Sequence, residues 1–210
     1  MHFTMRLVVV SVLHWLHLNK TLMYLRSLLG VMECMESKRI ELVPPSLVYA
    51  DSMLAVIRES EIELSEFLPW VSESLSKNEL ECNIKNAVNN FENFTDEFWF
   101  NIIEKKTGSF IGVVGFMIRD LNVPYFEIGY WLRTSMVGKG YVTEAVKLVE
   151  RFAFIRNNAQ RLEIKMASSN LKSRAVAERC GYQLEASLMN ARRLPSGSLD
   201  NTVIYTKTGL

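Results

Sequence analysis

Histidine is nearly missing from this sequence. Its three copies, His2, His14 and His17, fall within the first twenty residues, and none occurs from Phe100 onward. The second half of the chain therefore cannot assemble a Ser-His-Asp or Cys-His nucleophile, nor a histidine-ligated zinc. Cysteine is as scarce: Cys34, Cys82 and Cys180 match no metal-ligand spacing, and an odd count argues against a disulfide framework. Excess charge is lacking too. The formal net charge is +1, so no global field points to nucleic acid or to an anionic membrane. The chemistry that remains belongs to carboxylates, hydroxyls and backbone groups.

What is present is an ordinary globular chain. Its 210 residues suffice for one domain with a full core, and 49% apolar against 22% charged residues leaves no sign of disorder. Near the start, Leu7 to Leu18 form an apolar run between Arg6 and Lys20. No small-x-small cleavage site follows it, and it is too short for a membrane span. Met1, Met5, Met23, Met32 and Met35 crowd the same segment. Residues 1–38 are read as an extension upstream of a start near Met32 or Met35; an added amphipathic helix or a targeting segment are the alternatives. Residues 39–210 then form the functional domain, close to neutral with 20 basic against 21 acidic residues.

Within that domain the apolar period changes several times. Arg39–Val43 alternates as a strand, ended by Pro44-Pro45. Ser46 caps a helix running from Leu47 towards Glu61, and Ser76 caps a second with Leu80, Ile84, Ala87, Val88 and Phe91 on one face. Glu97–Glu104, Ser109–Arg119 and Tyr125–Arg133 are three strands joined by short turns, an antiparallel meander. Val142, Ala145, Val146, Val149, Phe152 and Ala153 mark an amphipathic helix. A strand over 161–167, a helix over 170–179, and strands from Tyr182 to Leu194 and up to Lys207 close the chain. The order β-α-α-β-β-β-α-β-α-β-β predicts a mixed α/β domain, with helices covering one mixed sheet.

Gly138-Lys139-Gly140-Tyr141 stands between a strand and a helix. Glycines let the backbone approach an anion closely, and the unpaired N–H groups of a helix start point at it. Alone, this does not distinguish an anion site from an ordinary glycine turn. A dinucleotide fingerprint requires a third glycine where Thr143 stands, and a P-loop requires Ser or Thr where Gly140 stands. Both fail.

A second cluster, Asn170-Leu171-Lys172-Ser173-Arg174, opens the helix that ends at Cys180-Gly181-Tyr182. Together, EIGYWL (127–132), GKGYVTEA (138–145), NLKSRAVAERCGY (170–182), LEAS (184–187) and GSLDNTVIYT (197–206) resemble the GNAT superfamily of N-acetyltransferases. The likeness is greatest to the RimJ/RimL-type enzymes of ribosomal-protein N-termini, whose substrate-loop signature FLPW (67–70) also resembles. It covers essentially residues 39–210. The resemblance implies a GNAT fold, a mostly antiparallel mixed sheet of about seven strands flanked by about four helices. It implies acetyl-CoA as co-substrate, no metal, the N-terminal α-amine of a (ribosomal) protein as acceptor, a cytoplasmic location, and a monomer or homodimer. No nucleic acid is expected, and no membrane for residues 39–210.

Residue by residue, the resemblance implies that Val137, Gly138, Lys139, Gly140, Tyr141 and Val142 hold the CoA pyrophosphate. Trp131, Leu132 and Arg133 would bind pantetheine through their backbone. Asn170 would bond the cofactor arm, and Ser173 would protonate the departing thiolate. Lys172, Arg174 and Arg179 could meet the outer phosphate or simply be solvated helix charges. Two positions depart from the pattern. Ser135 stands where a Gln or Arg is usual, and Arg192 where some relatives carry a base. Glu127, on the strand before the glycine loop, is the remaining candidate base; an ordinary ion-paired strand glutamate is the other reading. Phe67, Trp70, Trp99 and Phe100 are expected to line the acceptor side, in part as core. A small amine as acceptor, or a non-catalytic CoA-binding module, are the competing functions.

Overall fold

A computed structural model describes residues 35–71 and 75–210; the readings made for residues 1–34 lie outside the described residues. The strands are β1 (Ile40–Val43), β2 (Glu97–Glu104), β3 (Ser109–Asp120), β4 (Tyr125–Leu132), β5 (Arg161–Ala167), β6 (Gln183–Arg193) and β7 (Leu199–Lys207). They form one seven-stranded sheet in the order β1-β2-β3-β4-β5-β7-β6. Every pairing is antiparallel except β4 with β5. The expected meander is β2-β3-β4, and the mixed, mostly antiparallel sheet is as the motif order implied.

The helices are α1 (Ala50–Glu59), α2 (Glu61–Ser65), α3 (Lys77–Asn93), α4 (Tyr141–Arg151) and α5 (Leu171–Arg179). This gives five α-helices among the described residues where about four were expected. The extra one comes from a break at Ser60 in the helix predicted over 47–61. Ser60 is fully buried and its hydroxyl accepts the Thr134 N–H at 3.0 Å, so the break ties the first helix pair to the segment before the glycine loop. A 3₁₀ turn, Leu47–Tyr49, capped by Ser46, precedes α1. Ser76 and Glu79 close a capping box on α3, which fixes its start and turns Leu80, Ile84, Ala87 and Phe91 inward.

Trp99, Val113 and Trp131 pack against Met53, Leu54 and Ile57 of α1. Successive strand residues point to opposite faces, so Phe98, Phe100, Phe116 and Phe126 go to the other side. There they pack with Phe152, which begins a π-helical turn after α4. The sheet then opens. β4 and β5 pair only at Tyr125–Arg161, Phe126–Leu162 and Glu127–Glu163; beyond that, β5 continues along β7 and β4 along β3. The result is a fork whose mouth faces the glycine loop and the start of α5.

The compact unit begins at Met35, four residues ahead of the expected boundary at Arg39. Met35 is buried and its carbonyl accepts the Leu42 N–H at 2.8 Å. Ser37 and Arg39 reach Glu144 in the first turn of α4, at 2.7 Å each. A chain beginning at Met35 is therefore expected to fold, with a thermal midpoint within a few degrees of the full-length protein. Circular dichroism melts of the two would show it; aggregation of the shorter chain would make residues 1–34 part of the fold.

Candidate active site

The strand-to-helix turn after β4 has the local structure its glycines allow. Gly138 and Gly140 have φ values of 80° and 84°, a left-handed conformation costly for other residues. The first helical bond of α4 runs from Glu144 N–H to the Gly140 carbonyl, so the amides of Tyr141, Val142 and Thr143 have no partner within the helix. A Cβ built on Gly138 meets nothing within 4 Å. The turn presents bare backbone to open space.

Side chains brace it from behind. Arg39 donates to the Lys139 carbonyl at 2.9 Å, pairs with Glu144 and lies over the Tyr141 ring, 4.6 Å from its centroid. The Glu144 carboxylate holds the Arg39 guanidinium above its ordinary pKa. Tyr141 is buried, and its hydroxyl bonds Glu104 at the end of β2. Thus Glu144, a negative charge at the helix start, is neutralised by Arg39 and does not oppose an incoming anion.

A cleft of roughly 810 Å³ runs from this turn to α5. Trp131, Leu132, Val137, Gly138, Gly140, Tyr141, Val142, Asn170 and Ser173 all line it, so most of the residues expected at the cofactor share one cavity. Glu63, Leu64, Glu66, Phe67 and Leu68, from α2 and the loop after it, also line it. Asn170 caps α5: its Oδ1 accepts the Ser173 N–H at 3.0 Å, so any bond from Asn170 to a carbonyl in the cleft falls to Nδ2. Ser173, in the first turn, has its Oγ 2.9 Å from the Tyr130 hydroxyl.

Several expected residues lie elsewhere. Phe100 is fully buried among Phe91, Phe98 and Phe152, and belongs to the core. Trp99 points to the opposite face and packs beneath α1. Of the four aromatics expected on the acceptor side, Phe67 lines the cleft and Trp70 is exposed, at 45%, with its ring edge-on to Trp131. Arg133 is committed: its N–H goes to the Ile111 carbonyl at 2.8 Å and its guanidinium to Glu59. Lys139 lies outside the cleft lining, with Nζ 3.7 Å from Met136 Sδ. Ser135 bonds Glu59 at 3.2 Å. Arg174 reaches Tyr205 and the Ser168 carbonyl, whereas Lys172 and Arg179 line the cleft. Arg192 is half-buried on β6, in register with Asp200.

Glu127 stands at the apex of the fork, outside the cleft lining. Its carboxylate pairs with Arg119 at 2.8 Å and Lys165 at 3.1 Å, and Lys165 also pairs with Glu163 at 2.9 Å. Three residues of strand separate it from Tyr130, roughly 10 Å. Glu127 and Ser173 are therefore not in contact.

Tyr130 is the residue that sequence reasoning passed over. It is the one polar member of the strand face Phe126, Ile128, Tyr130, Leu132, and a half-buried tyrosine hydroxyl on an apolar face needs a partner. That was the available signal.

Among the described residues no group of three or more His, Cys, Asp or Glu side chains is placed to hold a metal ion, and no helix is long and apolar enough to cross a membrane. Comparison with known proteins agrees with the motif order. The chain is 33% identical over 103 residues to the ribosomal-protein-serine acetyltransferase of Escherichia coli, covering 49% of this chain and 56% of that protein. It spans about half the length of the curated relatives it matches. A solved microcin self-immunity acetyltransferase, MccE, in complex with acetyl-CoA and AMP, is 30% identical with a TM-score of 0.75, over 82% of this chain and 93% of that one. RimL, a ribosomal α-N-protein acetyltransferase solved with coenzyme A, shares the fold at 22% identity and a TM-score of 0.76, over 82% of this chain and 96% of that one. The profile of the GNAT acetyltransferase domain matches residues 39–183, and the chain belongs to that family.

Proposed function

We propose that the protein transfers an acetyl group from acetyl-CoA to the N-terminal α-amine of a protein, in the cytoplasm. The observation that carries this is a single cleft, with the bare amides of the glycine turn at one wall and the Ser173 hydroxyl at the other. The turn suits a pyrophosphate, and the unpaired edge of β4 past Glu127 suits the amides of pantetheine. The thioester would then lie near Ser173. The residues present fit the co-substrate.

Amide formation needs a neutral amine, and a proton for the sulfur. The amine nitrogen attacks the thioester carbonyl, the C–S bond breaks with its electron pair going to sulfur, and Ser173 supplies the proton. An α-amino group has a pKa of roughly 8 against roughly 10.4 for lysine, so more of it arrives neutral near pH 7. The likeness to a ribosomal-protein-serine acetyltransferase supports the same acceptor. A small amine is the second reading, favoured by the 30% identity to MccE, whose solved complex holds AMP.

Glu127, at the fork, is the proposed base, acting through water because no direct contact with the cleft is made. Glu127→Gln should lower the rate by roughly 10²-fold near pH 6.5, shrinking towards tenfold near pH 9, where the acceptor amine is already neutral. A pH–rate profile that only scales the wild-type curve would remove Glu127 as base. The acceptor itself is tested by thiol release from acetyl-CoA with a panel of peptides, amino acids, polyamines and aminoglycosides. Turnover confined to small amines would select the second reading, and binding without any turnover would leave a CoA-binding module.

A further inference from the structure

We propose that Tyr130 is a positioning residue that aims the Ser173 proton into the cleft; this rests on the acetyl-transfer reading above. Tyr130 reaches from β4 to the first turn of α5, where its hydroxyl lies 2.9 Å from Ser173 Oγ and 3.2 Å from the Ser173 carbonyl oxygen. That carbonyl faces the next turn of the same helix, whose amide it accepts, so the shorter contact to Oγ is the one that uses the tyrosine proton best.

A serine near a helix start otherwise tends to turn its O–H back onto a local carbonyl. A hydroxyl carries one proton and two acceptor positions. When Tyr130 donates to Ser173 Oγ, one acceptor position is held against β4 and the serine's own proton is left for a third atom. Both residues line the cleft, so that atom is a group bound there. Asn170 fixes the same residue from the backbone side, through the Ser173 N–H. The serine is thus held at two points, by a cap and by a strand tyrosine.

Burial pushes the Tyr130 phenol above its ordinary pKa, so it stays protonated and available as a donor at working pH. For the same reason it is not the net acid. As the C–S bond breaks, sulfur keeps the bonding pair and takes the Ser173 Oγ proton. As the amide forms, nitrogen gives one proton through water to Glu127, which releases it to solvent, and solvent water returns one to Ser173. During this exchange the serine oxygen gains negative charge, and a hydrogen bond from Tyr130 to a charged oxygen strengthens.

The test is a double-mutant cycle on the full chain, with acetyl-CoA and an acceptor that the wild type acetylates. Tyr130→Phe removes the hydroxyl and keeps the ring. It should lower kcat roughly three- to tenfold, as expected for one lost hydrogen bond, while KM for acetyl-CoA stays within about twofold. In a Ser173→Ala background the same change should do nothing further, because there is no proton left to aim. An equal loss in both backgrounds would make the tyrosine a packing residue and overturn the proposal, as would an unchanged kcat. A Ser173→Ala enzyme as fast as wild type would overturn the role of the serine, and the positioning with it. A slow Ser173→Ala enzyme beside an unaffected Tyr130→Phe enzyme would overturn the positioning alone.

Discussion

Gly138→Asp is expected to weaken acetyl-CoA binding by at least about 100-fold. Two costs arise. The residue sits at a φ of 80°, and forcing a side chain into the left-handed region costs about 1–2 kcal/mol. A carboxylate beside a phosphate adds repulsion of about 4 kcal/mol at 4 Å for an effective dielectric near 20. The φ cost falls on the free and the bound protein alike, but the repulsion alone exceeds the ~2.8 kcal/mol that corresponds to 100-fold. Because nothing lies within 4 Å of the Gly138 Cβ position, the new side chain clashes with no protein atom. The loss should therefore appear in calorimetric titration with acetyl-CoA, more than in the thermal midpoint of the free protein. Gly138→Ala separates the terms: it keeps the φ cost, which the free and the bound protein carry alike, and drops the charge, so it should lower the thermal midpoint by a few degrees and leave affinity within a few-fold. If Gly138→Asp binds as tightly as wild type, the pyrophosphate lies elsewhere.

Ser173→Ala should show the opposite signature: kcat lower by about 10²–10⁴-fold, the range of positioned acid–base help, with affinity for acetyl-CoA nearly unchanged. The substitution keeps the backbone N–H that Asn170 caps, so α5 should start where it does now. Single-turnover rates and CoA affinity would check this pair of expectations. A weaker affinity at an unchanged rate would make Ser173 a binding residue.

Much of this architecture was legible because it is local. β2 and β5 begin and end where alternation and the flanking turns put them, at Glu97–Glu104 and Arg161–Ala167. The helix caps Ser46, Ser76 and Asn170 act as their residue types suggest. What escaped depends on partners distant in sequence. At the Ser60 break the serine hydroxyl accepts the Thr134 amide, and no pattern within residues 47–61 records that partner. Trp99 and Phe100 were read as one surface although neighbouring strand residues face opposite sides; which face is covered depends on Phe91 and Phe152, from other elements. Arg133 looked like part of the cofactor strand until Ile111 and Glu59 claimed it. Glu127 has the ion pairs of an ordinary strand glutamate, and one of its two cations, Lys165, is brought in by the parallel β4–β5 contact.

With no histidine beyond His17, the proposed mechanism gives the proton transfers to Ser173, Glu127 and water, and the binding of the cofactor to the backbone of the glycine turn. Whether the acceptor is an α-amine is the point on which the proposed function turns. The most direct measurement uses two peptides of one ribosomal-type sequence beginning with Ser or Ala, with acetyl-CoA and mass analysis of the product. One has a free N-terminus and no lysine; the other has a blocked N-terminus and an internal lysine. The protein should add one acetyl group to the first and leave the second unmodified. Acetylation of the blocked, lysine-bearing peptide, with the free N-terminus untouched, would contradict it.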